Sequence, residues 1–82
     1  MRVVSEIPHP EAKITIFSWN GKYLIKLEKG PLEQTYKVSE MDVQDEEDIK
    51  KMLDVTFITK ALERFSEMGR DLMLAQSRLD EF

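Results

Sequence analysis

Two rhythms run through the apolar positions of this chain. From Lys13 to Ser39 apolar and polar residues alternate with period two, whereas beyond Asp45 the apolar residues recur every three or four positions. Alternation suits a strand with one face in a core, and the longer spacing suits an amphipathic helix. The pattern predicts an α+β protein, an antiparallel three- to four-stranded meander followed by helices packed on one sheet face.

The register of the first hairpin follows from Asn20-Gly21. A two-residue type I′ turn needs positive φ at both central positions, and Asn-Gly is the favoured pair. Trp19 then faces Lys22, Phe17 faces Leu24 and Thr15 faces Lys26. The alternate pairs Ser18–Tyr23, Ile16–Ile25 and Ile14–Leu27 form the core face. A second turn at Lys29-Gly30-Pro31-Leu32 leads into Glu33–Ser39, and pairing Gln34 with Leu27 carries Tyr36 and Val38 onto the same face. This register sets Glu28 opposite Glu33, a like-charge pair that counts against it. Upstream, Arg2–Ile7 reads as an edge strand or arm, with Val3 and Ile7 on one side and Val4 on the other. Pro8-His9-Pro10 ends it, since proline lacks the ladder donor. The expected strands are about 2–7, 13–19, 22–28 and 33–39.

In the second half, Asp45-Glu46-Glu47-Asp48 marks a helix start, because acids there complement the exposed N–H groups of a first turn; Gln44 or Asp45 is the expected cap. The same run fails as a calcium loop, having no glycine at the bend and no suitably spaced glutamate. One helix from here to the C-terminus is excluded by phase. On a wheel of 100° per residue, Ile58, Ala61, Leu62, Phe65, Met68, Gly69, Leu72, Ala75 and Leu79 share one stripe, and Ile49, Met52 and Leu53 fall on another. A break at Asp54, which can cap a second helix, resolves the conflict. The expectation is a short helix over about 45–53 and a long one over about 55–79.

That long helix outruns its sheet. Twenty-five residues span about 37 Å, against about 23 Å for a seven-residue strand. Leu72, Met73, Ala75, Leu79 and Phe82 would lie beyond what one small sheet covers. These residues are candidates for a dimer interface, with a fraying surface helix as the bland alternative.

Composition narrows the choice of function. At 82 residues the chain is read as one domain, and a domain this small buries only about 60–65% of its unfolded surface. A partner subunit would supplement that core, because there is no cysteine for disulfides or thiolate ligands. Neither a signal-peptide core nor a membrane-length apolar run is found, so a cytoplasmic protein with no membrane partner is expected. The net charge of −4 is unevenly placed. Residues 1–40 hold six basic groups against five acidic ones, and residues 41–82 hold six against eleven.

Catalytic equipment is sparse. His9, the single histidine, sits between prolines, Ser18 and Ser39 have no local base, and no phosphate loop or zinc spacing occurs. No enzyme activity, cofactor or metal is expected. The outer sheet face carries more information. Phe17, Trp19 and Leu24 form an apolar patch there, bordered by Lys22, Lys26 and Lys37. Such a patch suits a homodimer or a protein partner, with lysine stems covering the rim. It could also be covered by the N-terminal arm or the short helix. Aromatics that stack bases beside cations that meet phosphates would equally suit single-stranded nucleic acid, which the missing arginine and the acidic second half disfavour.

The run KITIFSWNGKYLIKLEKGPLEQTYKVSEMDV with the acidic helix start resembles small bacterial domains of unknown function. In topology alone, four strands and a helix used as a dimer are similar to the whirly and Pur-alpha type of single-stranded nucleic-acid-binding domain. That likeness implies nucleic-acid binding through the sheet but carries no site residue across. Self-association or protein–protein interaction is the leading expectation, and DNA or RNA binding the alternative.

Overall fold

Asn20 and Gly21 both adopt positive φ, 49° and 72°, as a type I′ turn requires. The computed structural model describes residues 1–80, so Phe82 lies outside the described residues. Four strands, β1 (Arg2–Ile7), β2 (Lys13–Trp19), β3 (Lys22–Lys29) and β4 (Leu32–Ser39), form one antiparallel sheet in sequence order. The β2–β3 and β3–β4 ladders keep the registers expected from the turns, including Trp19 opposite Lys22 and Gln34 opposite Leu27. Each strand around the second turn is one residue longer than expected, because Lys29 pairs with Leu32. Gly30 takes φ 59° and is followed by Pro31, the arrangement of a tight type II′ turn.

The like-charge pair is present and has a local remedy. Lys26 Nζ lies 3.3 Å from Glu33 Oε1 and 3.8 Å from Glu28 Oε1. A single ammonium between two carboxylates removes the repulsion that made this register look costly.

β1 departs from simple alternation. Val3 pairs with Phe17 and Ile7 with Ile14, with a bulge between Val3 and Ser5. Phe17 and Ile14 lie on opposite faces, so Val3 and Ile7 do not share a side. The extra residue in β1 absorbs the conflict between two adjacent valines and an isoleucine. Val4 and Ile7 then both pack against the core, and Val3 joins the outer face.

Beyond β4, a 3-10 turn at Glu40–Asp42 leads to α1 (Glu46–Met52). Asp45 is its cap, accepting a hydrogen bond from the Glu47 N–H at 3.0 Å, while the Asp48 carboxylate accepts from the Gln44 N–H at 2.8 Å. The helix ends at Leu53, whose φ of −85° and ψ of 57° are not helical. Asp54 then caps α2 (Val55–Ser77) by accepting from the Phe57 N–H at 2.9 Å, and a 3-10 turn at Arg78–Asp80 follows. The expected break is thus present, with both helices slightly shorter than the apolar pattern alone indicated.

Both helices pack on the same sheet face. Ile49 and Leu53 from α1 join Ile14, Ile16, Ile25 and Leu27 from the sheet and Ala61 and Phe65 from α2 in one buried cluster. At the β4 side a polar clamp fastens α2 to the sheet. Gln34 Nε2 donates to the Ala61 carbonyl at 2.8 Å, and its Oε1 accepts from Tyr36 Oη at 2.8 Å and Arg64 Nε at 3.1 Å. Arg64 also donates to Tyr36 Oη at 2.8 Å, and the Tyr36 ring meets Phe57 edge-on with centroids 5.2 Å apart. The resulting shape is long, 54 × 27 × 19 Å with a radius of gyration of 15.2 Å. A chain of this size packed as a sphere-like domain would have a radius near ~12 Å.

Candidate interaction interface

Two surfaces stand apart from the core, and each contains residues singled out by the sequence pattern. The first is the outer sheet face. Its central row is Val3–Phe17–Leu24–Lys37, running across all four strands. The neighbouring row is Glu6–Thr15–Lys26–Thr35, and on the other side Trp19, Lys22 and Ser39 line up. Among the described residues no helix packs over this face, since α1 and α2 both contribute to the cluster on the other side. The N-terminal segment extends the sheet edgewise as β1 and leaves the face open.

This face is drier and less cationic than its residue list implies. Leu24 is only 7% exposed and Thr15 only 3%, although no second layer lies above them. Their position on the two central strands puts long side chains on either side, and Phe17 and Lys26 are themselves half-buried. Trp19, by contrast, is 47% exposed, and Lys22 and Lys37 are exposed. Lys26 is held by Glu28 and Glu33, and Thr35 donates to Glu33 Oε2 at 3.0 Å. The six sequence candidates on this face are therefore adjacent but not equivalent. Trp19, Lys22 and Lys37 present free surface at one end, whereas Leu24 contributes mainly to its own chain.

The second surface is the end of α2. Its 23 residues span about 34 Å, well beyond the sheet. Ala61 and Phe65 are buried, Met68 and Gly69 are half-buried, and every residue from Arg70 to Leu79 is exposed. Leu72 at 38%, Met73 at 70%, Leu74 at 53% and Leu79 at 73% all face solvent, and Ala75 is exposed between them. Ile58, Ala61, Phe65, Met68, Leu72, Ala75 and Leu79 follow one another at alternating spacings of three and four. This is a single helix-packing stripe. The sheet covers its first half, and its second half continues into solvent.

Gly69 stands where the covered half gives way to the open one. A methyl group built there would meet only Leu32 Cδ1, at 3.5 Å, an ordinary contact. The sheet does not approach closely enough to require a glycine.

Chemistry of other kinds is little developed. His9 Nδ1 accepts from the Glu11 N–H at 3.1 Å, which fixes the loop between β1 and β2. Among the described residues no group of three His, Asp or Glu side chains is placed to hold a metal ion, and no helix is long and apolar enough to cross a membrane. The Gln34–Tyr36–Arg64 clamp was missed by sequence reasoning. A glutamine in the core stripe of β4 was the one available signal, since a buried amide needs partners. Comparison with known families, with curated proteins and with solved structures finds no match for this chain.

Proposed function

We propose that this is a non-enzymatic, cytoplasmic association protein that works as a homodimer, with a protein partner as the further target of the dimer. The observation that carries this reading is the open half of the helical stripe, Leu72 and Ala75 at the end of α2 and Leu79 in the turn beyond it, all exposed, with Met73 exposed beside it. A helix projecting alone from a small domain gains little from propensity, because short isolated helices are marginal in water. Burial against a second apolar surface supplies what propensity does not, at about 25 cal/mol per Å² of apolar area. The outer sheet face, with Phe17 and Trp19 beside Val3, gives such a dimer a second surface for association.

The test is the molar mass at micromolar concentration by light scattering or sedimentation equilibrium. An average mass that rises from 9.6 kDa towards twice that value as concentration increases through the micromolar range is expected. A monomer mass across the micromolar range would remove the proposal. Mass must be measured directly, because an elongated monomer of 54 Å elutes early from a sizing column.

A second reading is single-stranded DNA or RNA binding, which the exposed Trp19 between Lys22 and the Lys37 row supports. The engagement of Lys26 with two glutamates and the presence of Glu6 on the same face weigh against it. Titration with an oligonucleotide at low salt, followed by Trp19 fluorescence, separates the readings. Stacking quenches the indole, and an unchanged signal ends the nucleic-acid reading.

A further inference from the structure

The exposed end of α2 carries charge as well as apolar surface, and the charges distinguish one way of pairing it. Flanking the stripe at intervals of seven are Arg64, Asp71 and Arg78 on one side, and Leu62, Gly69 and Gln76 on the other. Arg64 is committed to Gln34 and Tyr36. Asp71 and Arg78 take part in none of the ion pairs found among the described residues.

In an antiparallel helix pair, residues on one flank of the stripe face the same flank of the other helix. In a parallel pair they face the opposite flank. Parallel pairing would set Asp71 near Gln76 of the second copy and leave Arg78 with no acid across the seam. It would also bring both sheets to the same end of the pair. Antiparallel pairing sets Asp71 near Arg78 of the second copy, twice by symmetry, and sends the two sheets to opposite ends. The apolar residues agree with this arrangement. With the two-fold axis beside Ala75, Leu72 of each copy meets Leu79 of the other, and the small Ala75 side chains lie where the helices cross.

We propose that two copies of this chain pair antiparallel through Leu72 and Ala75 of α2 and Leu79 of the 3-10 turn that continues it, with Asp71 of each copy against Arg78 of the other. This deepens the self-association reading above and rests on it. The occupant of the open stripe is a second copy of the same stripe, an isologous contact of the kind a two-fold dimer requires. Because the overlap is short, the dimer is a micromolar one whose population changes with concentration.

Two measurements test the pairing. Asp71→Arg and Arg78→Asp, made singly, each turn two attractive contacts into two repulsive ones. Each should weaken the dimer about tenfold, because two weak exposed pairs change sign at once. The double variant exchanges the two charges and should return the dissociation constant to within about threefold of the original. Circular dichroism checks that α2 persists in each variant. Independently, the chain has no cysteine, so Lys60→Cys gives a single site on the exposed side of α2 for a spin label. Antiparallel pairing about Ala75 places the two labels about 45 Å apart along the helix axis, at 1.5 Å per residue. A dimer with labels within about 20 Å, or one indifferent to both charge reversals, would overturn the antiparallel pairing while leaving self-association in place. A monomer would remove both.

Discussion

Replacing Gly69 with alanine distinguishes a glycine required by packing from one that merely weakens its helix. Gly69 lies in the interior of α2, fourteen residues after Val55, where glycine costs about 0.8–1 kcal/mol relative to alanine. The added methyl would find Leu32 Cδ1 at 3.5 Å and no backbone atom within 4 Å, apart from the helix's own nearby turns and its chain neighbours. There is no overlap to offset the gain in helix propensity. The variant should therefore be more stable by about 1 kcal/mol, a rise in melting temperature of about 4–8 °C for a domain of this size. Thermal and urea denaturation followed by circular dichroism read the change, at a fixed protein concentration because the proposed dimer would also contribute to stability. In the proposed antiparallel pair about Ala75, Gly69 lies six residues, about 9 Å, along the helix from the two-fold axis and outside the Leu72–Ala75–Leu79 contact, so the dissociation constant should stay within about threefold. A loss of stability, or a tenfold weaker dimer, would show that a backbone approaches Gly69 more closely than the sheet does, and the reasoning about this helix would fail.

Two further substitutions probe the interior and the sheet. Gln34→Ala removes the acceptor shared by Tyr36 and Arg64 and the donor to the Ala61 carbonyl, and should cost about 1–3 kcal/mol in urea denaturation. An unchanged midpoint would mean that water replaces the clamp. Lys26→Met removes the ammonium shared by Glu28 and Glu33, leaving Lys13 opposite Glu28 as the nearest cross-strand cation, and should destabilise by no more than about 1 kcal/mol, because the site is partly solvated. That loss should shrink as salt is added, and a salt-independent loss would point to the packing of the lysine stem instead.

Much of the fold was legible because local chemistry constrained it tightly. Asn20-Gly21 allows one register, and the core-face pattern of Gln34, Tyr36 and Val38 beyond the second turn aligned the third strand with it. The break before α2 was legible from phase, since Ile49 and Leu53 cannot lie on the stripe of Ala61 and Phe65 in one continuous helix. What escaped depends on contacts between residues distant in the chain. Arg64 lies thirty residues from Gln34, and no periodicity links them. The rescue of Glu28 and Glu33 by Lys26 needs three side chains from two strands, whereas pairwise reasoning saw only the two acids. The bulge in β1 has no glycine to announce it, and it arises because Val4 and Ile7 both gain from the core although strict alternation would separate them. The candidate interface was legible as a list of residues but not as a surface. Alternation correctly put Leu24 beside Phe17, yet gave no sign that their neighbours would already exclude most water from Leu24.

The bulge between Val3 and Ser5 also bears on how copies of this protein can meet. β1 is an edge strand, and a straight edge is a template onto which another chain can add its own backbone. One surplus residue spoils that template, because it increases the local twist and puts two residues where the next strand expects one. Sheets from separate copies are thereby discouraged from fusing through β1 into an open-ended ribbon. Encounters between copies are left to side-chain surfaces, so the same small irregularity that moves Val4 into the core also works against open-ended strand addition.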